Sequence, residues 1–348
     1  MYDPGALYVD PILTQLSVGF AAEQTYWPQL APETPVRTQS GRFRIFDRSD
    51  WLIHRSRREP GTQANRVGQK KWSEDTFRTQ EHSLEAEIYD EERQELVSQG
   101  GLADPVFGGG LQIDPEADAT EYVTRSIDLE HEQKVANLFR NTANYPANHT
   151  VTLTSGATGT QWSNYALATA GVPSTAYSNP VNDLKLAMQR LRLDAGRWPN
   201  TFLIPFDAVG IIENHPIMVA RFQYTAVTDP NAWKAMLGLP AEATDNLNII
   251  VADSKFNSAD NVDLVENIQS FWGTDCWLGL VDPQPGQKTK TFSKTFAQVY
   301  PSGDTGPVDR YREENRKTDI IRKSYKYDIK VISPTAGYLF KTAVAAVS

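Results

Sequence analysis

The stretch from Asn179 to Pro216 constrains the fold more than any other part of the chain, because its signals are dense and agree with one another. Asn179 suits a helix N-cap, Pro180 the first helical position and Gly196 the C-cap. Apolar residues spaced three and four apart predict one buried helix face, at Val181, Leu184, Met188, Leu191 and Ala195. Residues 201–204 predict a short buried strand, and Asp207 the N-cap of a second helix that ends at 214–216. A helix, strand and helix joined this tightly indicate the frame of a compact domain.

Length and composition set the class of protein. The chain has 348 residues, 40% of them hydrophobic, so it can bury sizeable cores and is expected to contain more than one domain. No run is long enough to cross a membrane, and the opening residues lack the segments of a signal peptide. The single cysteine, Cys276, excludes an internal disulfide framework and favours a reducing compartment. A net charge of −9 argues against wrapping duplex DNA with the whole surface, although an inner wall near packed DNA tolerates that sign.

The first ninety residues carry two unusual segments. Residues 1–40 are short hydrophobic pieces broken by prolines, which predict an arm lying along another surface. Residues 41–87 predict two long strands, the first running through 43–46 and 51–53 and the second returning from 72 onward. The loop between them has a charge of about +5, because six cations face one acid, Glu59. The cations are Arg55, Arg57, Arg58, Arg66, Lys70 and Lys71.

Three interpretations of this basic loop are open: a nucleic-acid contact, a solvated hairpin tip, or a contact with an acidic protein surface. The chain supplies such a surface directly after the hairpin, at Glu81, Glu85, Glu87, Asp90, Glu91, Glu92 and Glu95. A hairpin tip cannot easily fold back onto its own base. We therefore expect these acids to pair with the loop of a neighbouring copy, through Arg55, Arg57, Arg58, Lys70 and Lys71.

The rest of the chain gives a coarse series of elements. A Gly/Pro loop at 104–115 precedes a long helix at about 116–141, and 147–178 predicts a loop with short strands. Further strands are predicted at 248–252, 270–273, 276–281 and 291–299, a short helix at 232–237 and a polar loop at 303–315. The clearest period-two alternation runs from Tyr325 to Val331, and 338–340 closes the series.

Concentrated reactive groups are missing from the sequence. His131-Glu132 begins like a metalloprotease helix, but Val135 stands where the second histidine must be. Cys276 lies in an apolar stretch between Trp272 and Trp277, where a buried, inert thiol is expected. No glycine-rich stretch has the lysine of a phosphate-binding loop. We predict no enzyme activity, no metal and no cofactor.

The order of these parts resembles the tailed-bacteriophage major capsid proteins of the Hong Kong 97 fold, a shell fold shared with encapsulins. The resemblance covers nearly the whole chain and rests on the order of elements. Stretches typical of the phage branch are Tyr8-Val9-Asp10 with Leu13-Thr14 and Ser17, Asn179-Pro180 with Asp183-Leu184, Arg197-Trp198-Pro199-Asn200, Asn214-His215-Pro216, and Trp272-Gly273.

The resemblance implies an α+β fold with a fixed order of parts. Residues 1–40 correspond to the N-terminal arm and 41–90 to an extended loop, a β-hairpin that lies over a neighbouring subunit. Residues 91–179 correspond to the peripheral domain with its spine helix, 180–317 mainly to the axial domain, and 318–348 to the return to the peripheral domain. Some family members cross-link a loop lysine to a neighbour, but no motif here marks Lys70 or Lys71 for that chemistry.

The function implied is structural: hexamers and pentamers of the chain form the icosahedral head shell around phage double-stranded DNA, which is held without sequence-specific contact. The implied partners are other copies of the chain, a portal at one vertex and a scaffolding protein, with a decoration protein left open. The scaffold is expected to be separately encoded because the arm begins within ten residues of Met1. The implied location is the virion, with assembly in the host cytoplasm and no membrane contact.

Three alternatives remain from the sequence. An encapsulin-type compartment shares the fold, but the proline-broken arm fits phage better than the N-terminal helix expected of encapsulins. A DNA- or RNA-binding protein would explain residues 55–71 but not the overall acidity. A hydrolase would fit the length but has no visible site.

Overall fold

The computed structural model describes residues 25–46, 72–91, 93, 115–155, 160–165, 178–222, 234, 240–257, 268–284 and 290–345, with short pieces at 53, 56–58, 61, 63–64 and 66. The α-helices are α1 Trp27–Leu30, α2 Pro115–Arg140, α3 Pro180–Ala195, α4 Phe206–Glu213, α5 Pro216–Phe222 and α6 Ala241–Thr244. The strands are β1 Glu33–Val36, β2 Ser40–Phe46, β3 Trp72–Arg78, β4 Gln80–Tyr89, β5 Thr150–Thr152, β6 Thr201–Pro205, β7 Asn248–Ala252, β8 Lys255–Asn257, β9 Ile268–Ser270, β10 Cys276–Gly279, β11 Ser293–Gln298, β12 Val308–Glu313, β13 Thr318–Val331 and β14 Gly337–Lys341.

The unit α3–β6–α4 forms as its local signals predict. The Asn179 side chain accepts a hydrogen bond from the Asn182 amide at 3.1 Å, Pro180 opens the helix, and Gly196 ends it at φ +75°. All five residues of β6 are buried. The predicted cap at Asp207 is wrong: the N-cap of α4 is Pro205, and Asp207 lies in the first turn. The Pro205 ring fixes its own φ and so ends the strand and starts the helix within one residue.

The long helix predicted at 116–141 is α2, which runs for 26 residues. Acids occupy its first turn and Arg140 its last, as the helix dipole favours. Its inner face buries Val123, Ile127 and Phe139, and it packs across β4 and β13. This helix therefore covers one sheet along most of its length.

The first sheet has β13 at its centre. Strand β4 pairs antiparallel with one edge of β13, while β11 and β12 share the other edge and β1 adds in parallel to β11. The prediction of a polar loop at 303–315 is wrong for 308–313, which form β12. Its charged composition hides the strand, because the charges pair across to β13 and β4 and do not mark a loop.

The second sheet follows the order β5-β14-β10-β6-β7 and is buried on both faces. One face packs against α3, α4 and α5 through residues such as Phe202 and Leu278. The other face packs against the end of α2 through Leu203 and Trp277. The strand predicted at 270–273 is wrong beyond Ser270, where β9 ends, because Gly273 turns the chain at φ +55°.

Strands β2 and β3 form a separate two-stranded ribbon. The predicted first strand is described only as far as Phe46, and Ile53, which was expected to continue it, is not in a strand. The predicted return strand divides at Thr79: β3 belongs to the ribbon and β4 to the first sheet. The predicted arm is described from residue 25 onward, where α1 and β1 dock on this same chain, and the helix predicted at 232–237 lies outside the described residues except for Lys234.

Candidate assembly interface

The root of the ribbon is held by aromatic packing. The rings of Phe77 and Phe296 stack with centroids 4.4 Å apart, and Phe43 lies 5.4 Å from the same Phe296 ring. Ile332 closes this cluster from the end of β13. Gly41 faces Phe77 so closely that an added Cβ would lie 2.7 Å from the ring. The ribbon is thus fixed to the body at its base.

The extended segment that contains β3 and β4 passes from the ribbon to the first sheet at Thr79. The Thr79 amide donates to the Gln39 carbonyl at 2.8 Å, and its buried hydroxyl lies 3.0 Å from Gln298 Oε1. Next to it, the Arg78 amide donates to Asp328 Oδ2 at 2.9 Å. Two consecutive backbone amides and the Thr79 hydroxyl therefore hold the chain where it changes direction.

The structure places the predicted acidic residues along β4 and just after it. Glu81, Glu85 and Glu87 lie on β4 opposite β13, and Asp90 and Glu91 follow. Arg57 and Arg58 are exposed, whereas Arg55, Lys70, Lys71, Glu92 and Glu95 lie outside the described residues. Among the residues that the structure describes, no predicted cation contacts a predicted acid, and their pairing across subunits stays a prediction.

Four of these acids have partners within the same chain. The ion pairs are Glu81 with Lys326 at 3.4 Å, Glu85 with Arg322 at 3.7 Å, Glu87 with Arg316 at 3.0 Å, and Asp90 with Arg312 at 2.6 Å. The Arg312 guanidinium donates hydrogen bonds to both oxygens of Asp90 and so lowers the pKa of that carboxyl. The surface is therefore a ladder of alternating charges. The sequence did not reveal these cations because they lie more than two hundred residues from the acids, and the period-two pattern through 325–331 includes only one of them, Lys326.

A second charge cluster fixes the start of α2. Glu116 in the first turn accepts hydrogen bonds from Arg93 and Arg310, each at 2.9 Å. The nearly buried Asp319 contacts both of these arginines and Arg312. Burial would raise the pKa of Asp319, but the three guanidiniums together lower it. The ends of β4, β12 and β13 are thereby tied to one helix terminus.

The segment that precedes the ribbon is anchored on α2 by Glu132. This buried carboxylate accepts hydrogen bonds from the amides of Tyr26 (3.0 Å) and Trp27 (2.7 Å) through Oε2. Its other oxygen accepts from Trp272 Nε1 at 2.9 Å and from the Ser254 hydroxyl at 3.2 Å. Burial raises the pKa of Glu132, and the four donors oppose that effect. The side chain joins the arm, α2 and the second sheet's loops at one point.

His131, the other half of the metalloprotease-like pair, has a packing role. Its ring stacks between Trp27 (3.9 Å) and Tyr327 (4.2 Å) and is fully buried. Burial lowers the pKa of His131 well below its ordinary value, so the ring stays neutral. Cys276 is buried, and burial raises the pKa of its thiol, as expected of an inert cysteine.

Asp275 connects the other end of α2 to the second sheet. It accepts from Arg140 Nε and Lys341 Nζ, both at 2.7 Å, and from the Thr342 amide at 2.8 Å. Gly273 permits this arrangement, because a Cβ there would lie 2.8 Å from Arg140 Nη2. Within the described ranges, no three potential metal ligands come together. None of the helices described combines the length and apolar character needed to cross a bilayer.

The body of two sheets with one long helix and a ribbon standing off it has clear structural relatives. A phage-related protein from Bordetella bronchiseptica RB50 matches with a TM-score of 0.70 at 23% identity, over 97% of this chain and 98% of that one. The capsid structure of the cyanophage P-SCSP1u matches with a TM-score of 0.55 at 13% identity, over 91% and 88% of the two chains. The chain thus has the Hong Kong 97-like fold of phage capsid proteins, and the predicted fold is confirmed.

One relative makes the assignment more specific. The major capsid protein of Burkholderia phage BcepMu is 25% identical over 332 residues, which is 95% of this chain and 95% of that protein. No protein-family model matches the chain. Together with the fold, this relative confirms the prediction of a phage-type major capsid protein, a structural component of oligomeric capsid shells.

Proposed function

We propose that this chain is the repeating subunit of an icosahedral phage head, in which hexamers and pentamers enclose double-stranded DNA. The observation that carries the proposal is the ribbon β2–β3, which leaves the body at Thr79 and is rooted on Phe296. Ile53, beyond the ribbon, is 99% exposed, which is surface that a neighbouring copy can cover. The encapsulin alternative has less support, since the relative of nearly equal length is a phage major capsid protein.

The proposal includes the domain organisation inferred from the sequence. Residues 1–40 act as the arm, 41–90 as the extended loop, 91–179 and 318–348 as the peripheral domain, and 180–317 mainly as the axial domain. Support comes from α2, which spans the first sheet as a spine helix does, and from the Glu132 contacts that hold the end of the arm. Strand β14 pairs with β10 in the second sheet, so the proposed peripheral return also contacts the axial part.

The extended loop is proposed to bind a neighbour through its basic residues. The carboxylates of the ladder along β4 and β13 already form ion pairs within the subunit. A neighbour's Arg57 and Arg58 would therefore bind carboxylates that also keep their own cations. Glu91 is exposed next to this ladder and is the described acid best placed to accept a new cation. Each exposed pair contributes at most about 1 kcal/mol, but a shell repeats the pair in every subunit.

Other partners complete the proposal: a separately encoded scaffolding protein, a portal at one vertex, and DNA without sequence-specific contact. A decoration protein is compatible with it. The role is structural and not catalytic, in keeping with the capsid relative. Assembly is placed in the host cytoplasm.

Charge reversal tests the proposal. Negative-stain microscopy of the wild type should give shells, sheets or capsomers, and a uniform monomer under assembly conditions would contradict the shell function itself. Arg57→Glu with Arg58→Glu should leave the subunit folded but loosen shell closure, most strongly at low salt where screening is weak. Adding Glu91→Lys with Glu92→Lys should restore closure if the pairing is direct.

The matched control is Arg37→Glu with Arg125→Glu, which changes the net charge by the same amount at exposed positions that are not part of the ladder. It should leave assembly largely intact. Normal assembly of the Arg57/Arg58 variant at low salt would mean that the loop is only a solvated tip.

A further inference from the structure

The helices on one face of the second sheet occupy opposite flanks. Helix α3 packs over β10 and β14, whereas α4 packs over β6 and β7. Helix α6 leads directly into β7, the edge strand on the α4 side. The outer surfaces of α3 and of α4 to α6 therefore belong to different sides of the same unit.

The outer face of α3 combines leucines with unpaired cations. Leu186 and Leu193 lie seven residues apart, on one stripe of the helix, and are 50% and 71% exposed. The cations beside this stripe are Lys185, Arg190, Arg192 and, just past the cap, Arg197. Among the described residues none of the four forms an ion pair: the nearby Asp194 binds His149 at 2.6 Å, and Arg192 stacks on the Trp198 ring at 4.5 Å. We call this surface the cationic face.

The opposite flank carries the complementary features. Phe206 and Val219 are 58% and 51% exposed. The elements α4 and α6 and the turn after α6 also present four carboxylates, at Asp207, Glu213, Glu242 and Asp245. In the part of the chain that the structure describes, these four carboxylates take part in no ion pair. We call this surface the acidic flank.

We propose that the cationic face of one copy docks on the acidic flank of the next copy around the capsomer ring. The contact rests on the proposed function, because it needs a ring of identical subunits. A ring is built from heterologous contacts, in which one patch meets a different patch of the neighbour. Within the described part of the chain, four cations without ion pairs on one side match four carboxylates without ion pairs on the other, and each side also exposes two apolar side chains. Complementary charges together with exposed apolar side chains are what a specific protein–protein interface requires.

The competing occupant of the cationic face is the phosphate backbone of DNA. Phosphates would use the cations but would leave Leu186 and Leu193 exposed to water, and they would not explain the acidic flank. The structure therefore favours a second copy of the chain, and the DNA contact becomes an outcome of the test.

Two reciprocal charge reversals test the contact. Variant A carries Arg190→Glu with Arg192→Glu, and variant B carries Glu213→Lys with Asp245→Lys. Variant B should keep the wild-type melting temperature, because a lysine at the end of α4 suits the helix dipole and both sites lie outside the buried core. Variant A should melt slightly lower but stay folded, because glutamates near the end of α3 oppose its dipole and Arg192→Glu removes the contact with the Trp198 ring at 4.5 Å. Each alone should lose ring formation, measured by native mass spectrometry and negative-stain microscopy, by roughly tenfold or more.

Co-expression of A and B gives a sharper result. Each A–B contact is complementary in both directions, whereas A–A and B–B contacts repel, so subunits must alternate around a ring. Six-membered rings can alternate and should return; five-membered rings cannot, so closed shells should remain absent. A chain that carries all four substitutions should restore both kinds of ring.

The matched control is Arg37→Glu with Arg125→Glu, which changes the net charge equally at exposed positions elsewhere and should assemble like the wild type. Normal assembly of variant A would overturn the proposal, as would failure of the mixture to recover six-membered rings. Intact rings with weaker DNA retention would assign the cationic face to DNA and also overturn it. Each of these results leaves the shell function standing, whereas a wild type that forms no rings would refute both.

Discussion

Replacing Glu132 by Gln isolates the contribution of the arm anchor. The two oxygens of Glu132 accept four hydrogen bonds, two on each side, and the Gln amide nitrogen can accept none of them. The Ser254 hydroxyl can turn to accept from that nitrogen, so at least one buried donor loses its acceptor, at about 1–3 kcal/mol, and the remaining bonds weaken because their acceptor is no longer charged. Removing a buried charge offsets part of this loss, because burial raises the pKa of Glu132. We expect a net destabilisation of about 3 kcal/mol.

Thermal unfolding of the unassembled subunit measures this effect. In a chain of this size, about 3 kcal/mol corresponds to a fall of roughly 6 °C in Tm. The matched control is Glu130→Gln on the same helix, where the half-exposed carboxylate pairs with Lys134 at 2.7 Å. That pair is worth at most about 0.5 kcal/mol, or roughly 1 °C.

Hydrogen exchange gives a second readout of the same substitution. The Trp27 amide should exchange faster in Glu132→Gln than in the control, since its charged acceptor is replaced by a weaker neutral carbonyl or by an amide nitrogen that cannot accept. If both variants melt within about 1 °C of each other and protect this amide equally, the carboxylate does not hold the arm and the reasoning fails.

Two further outcomes follow from single residues. Gly273→Ala should destabilise the chain by about 1 kcal/mol more than Gly303→Ala, as measured by thermal unfolding. Both glycines have positive φ, but only a Cβ at 273 would lie close to a guanidinium, 2.8 Å from Arg140 Nη2. Equal losses of stability would contradict this reasoning. Stability should fall by at most about 3 kcal/mol as pH drops from 6.5 towards 4, because burial lowers the pKa of His215 to about 4 while the unfolded chain protonates first. Denaturation across this pH range should show a flatter profile for His215→Gln, and an unchanged profile would exclude this origin.

The elements that the sequence predicted well are those fixed by neighbouring residues. Asn179, Pro180 and Gly196 determine the ends of α3 through their own backbone preferences, so no distant contact is needed. The alternation from Tyr325 to Val331 likewise marks β13, whose two edges are both paired. Periodicity and caps carry local information, and a single chain suffices to read it.

The features that escaped prediction depend on distant partners. Strand β12 resembles a polar loop because Arg310 and Arg312 are strand residues only when β13 and β4 supply their acids. The sequence identified the four acids that form ion pairs along β4 and just after it, but it did not identify their cations on β13 and beside it. Glu132 gave no sign of its role, since its donors lie 105 to 140 residues away. Nothing in the local sequence distinguishes such an anchor from an ordinary helical glutamate.

Because the base of the ribbon is fixed by aromatic packing, the loop beyond it is a position where inserted residues should leave the fold unchanged. Register between β2 and β3 is fixed by their own pairing and by Phe77 on Phe296, and the change of sheet is fixed at Thr79. The number of residues between Phe46 and Trp72 can therefore vary without moving the core, because a longer loop adds only a small closure cost. A foreign peptide placed there should leave the subunit folded, whereas the proposed contact of this loop with a neighbouring copy would limit the length that still permits assembly.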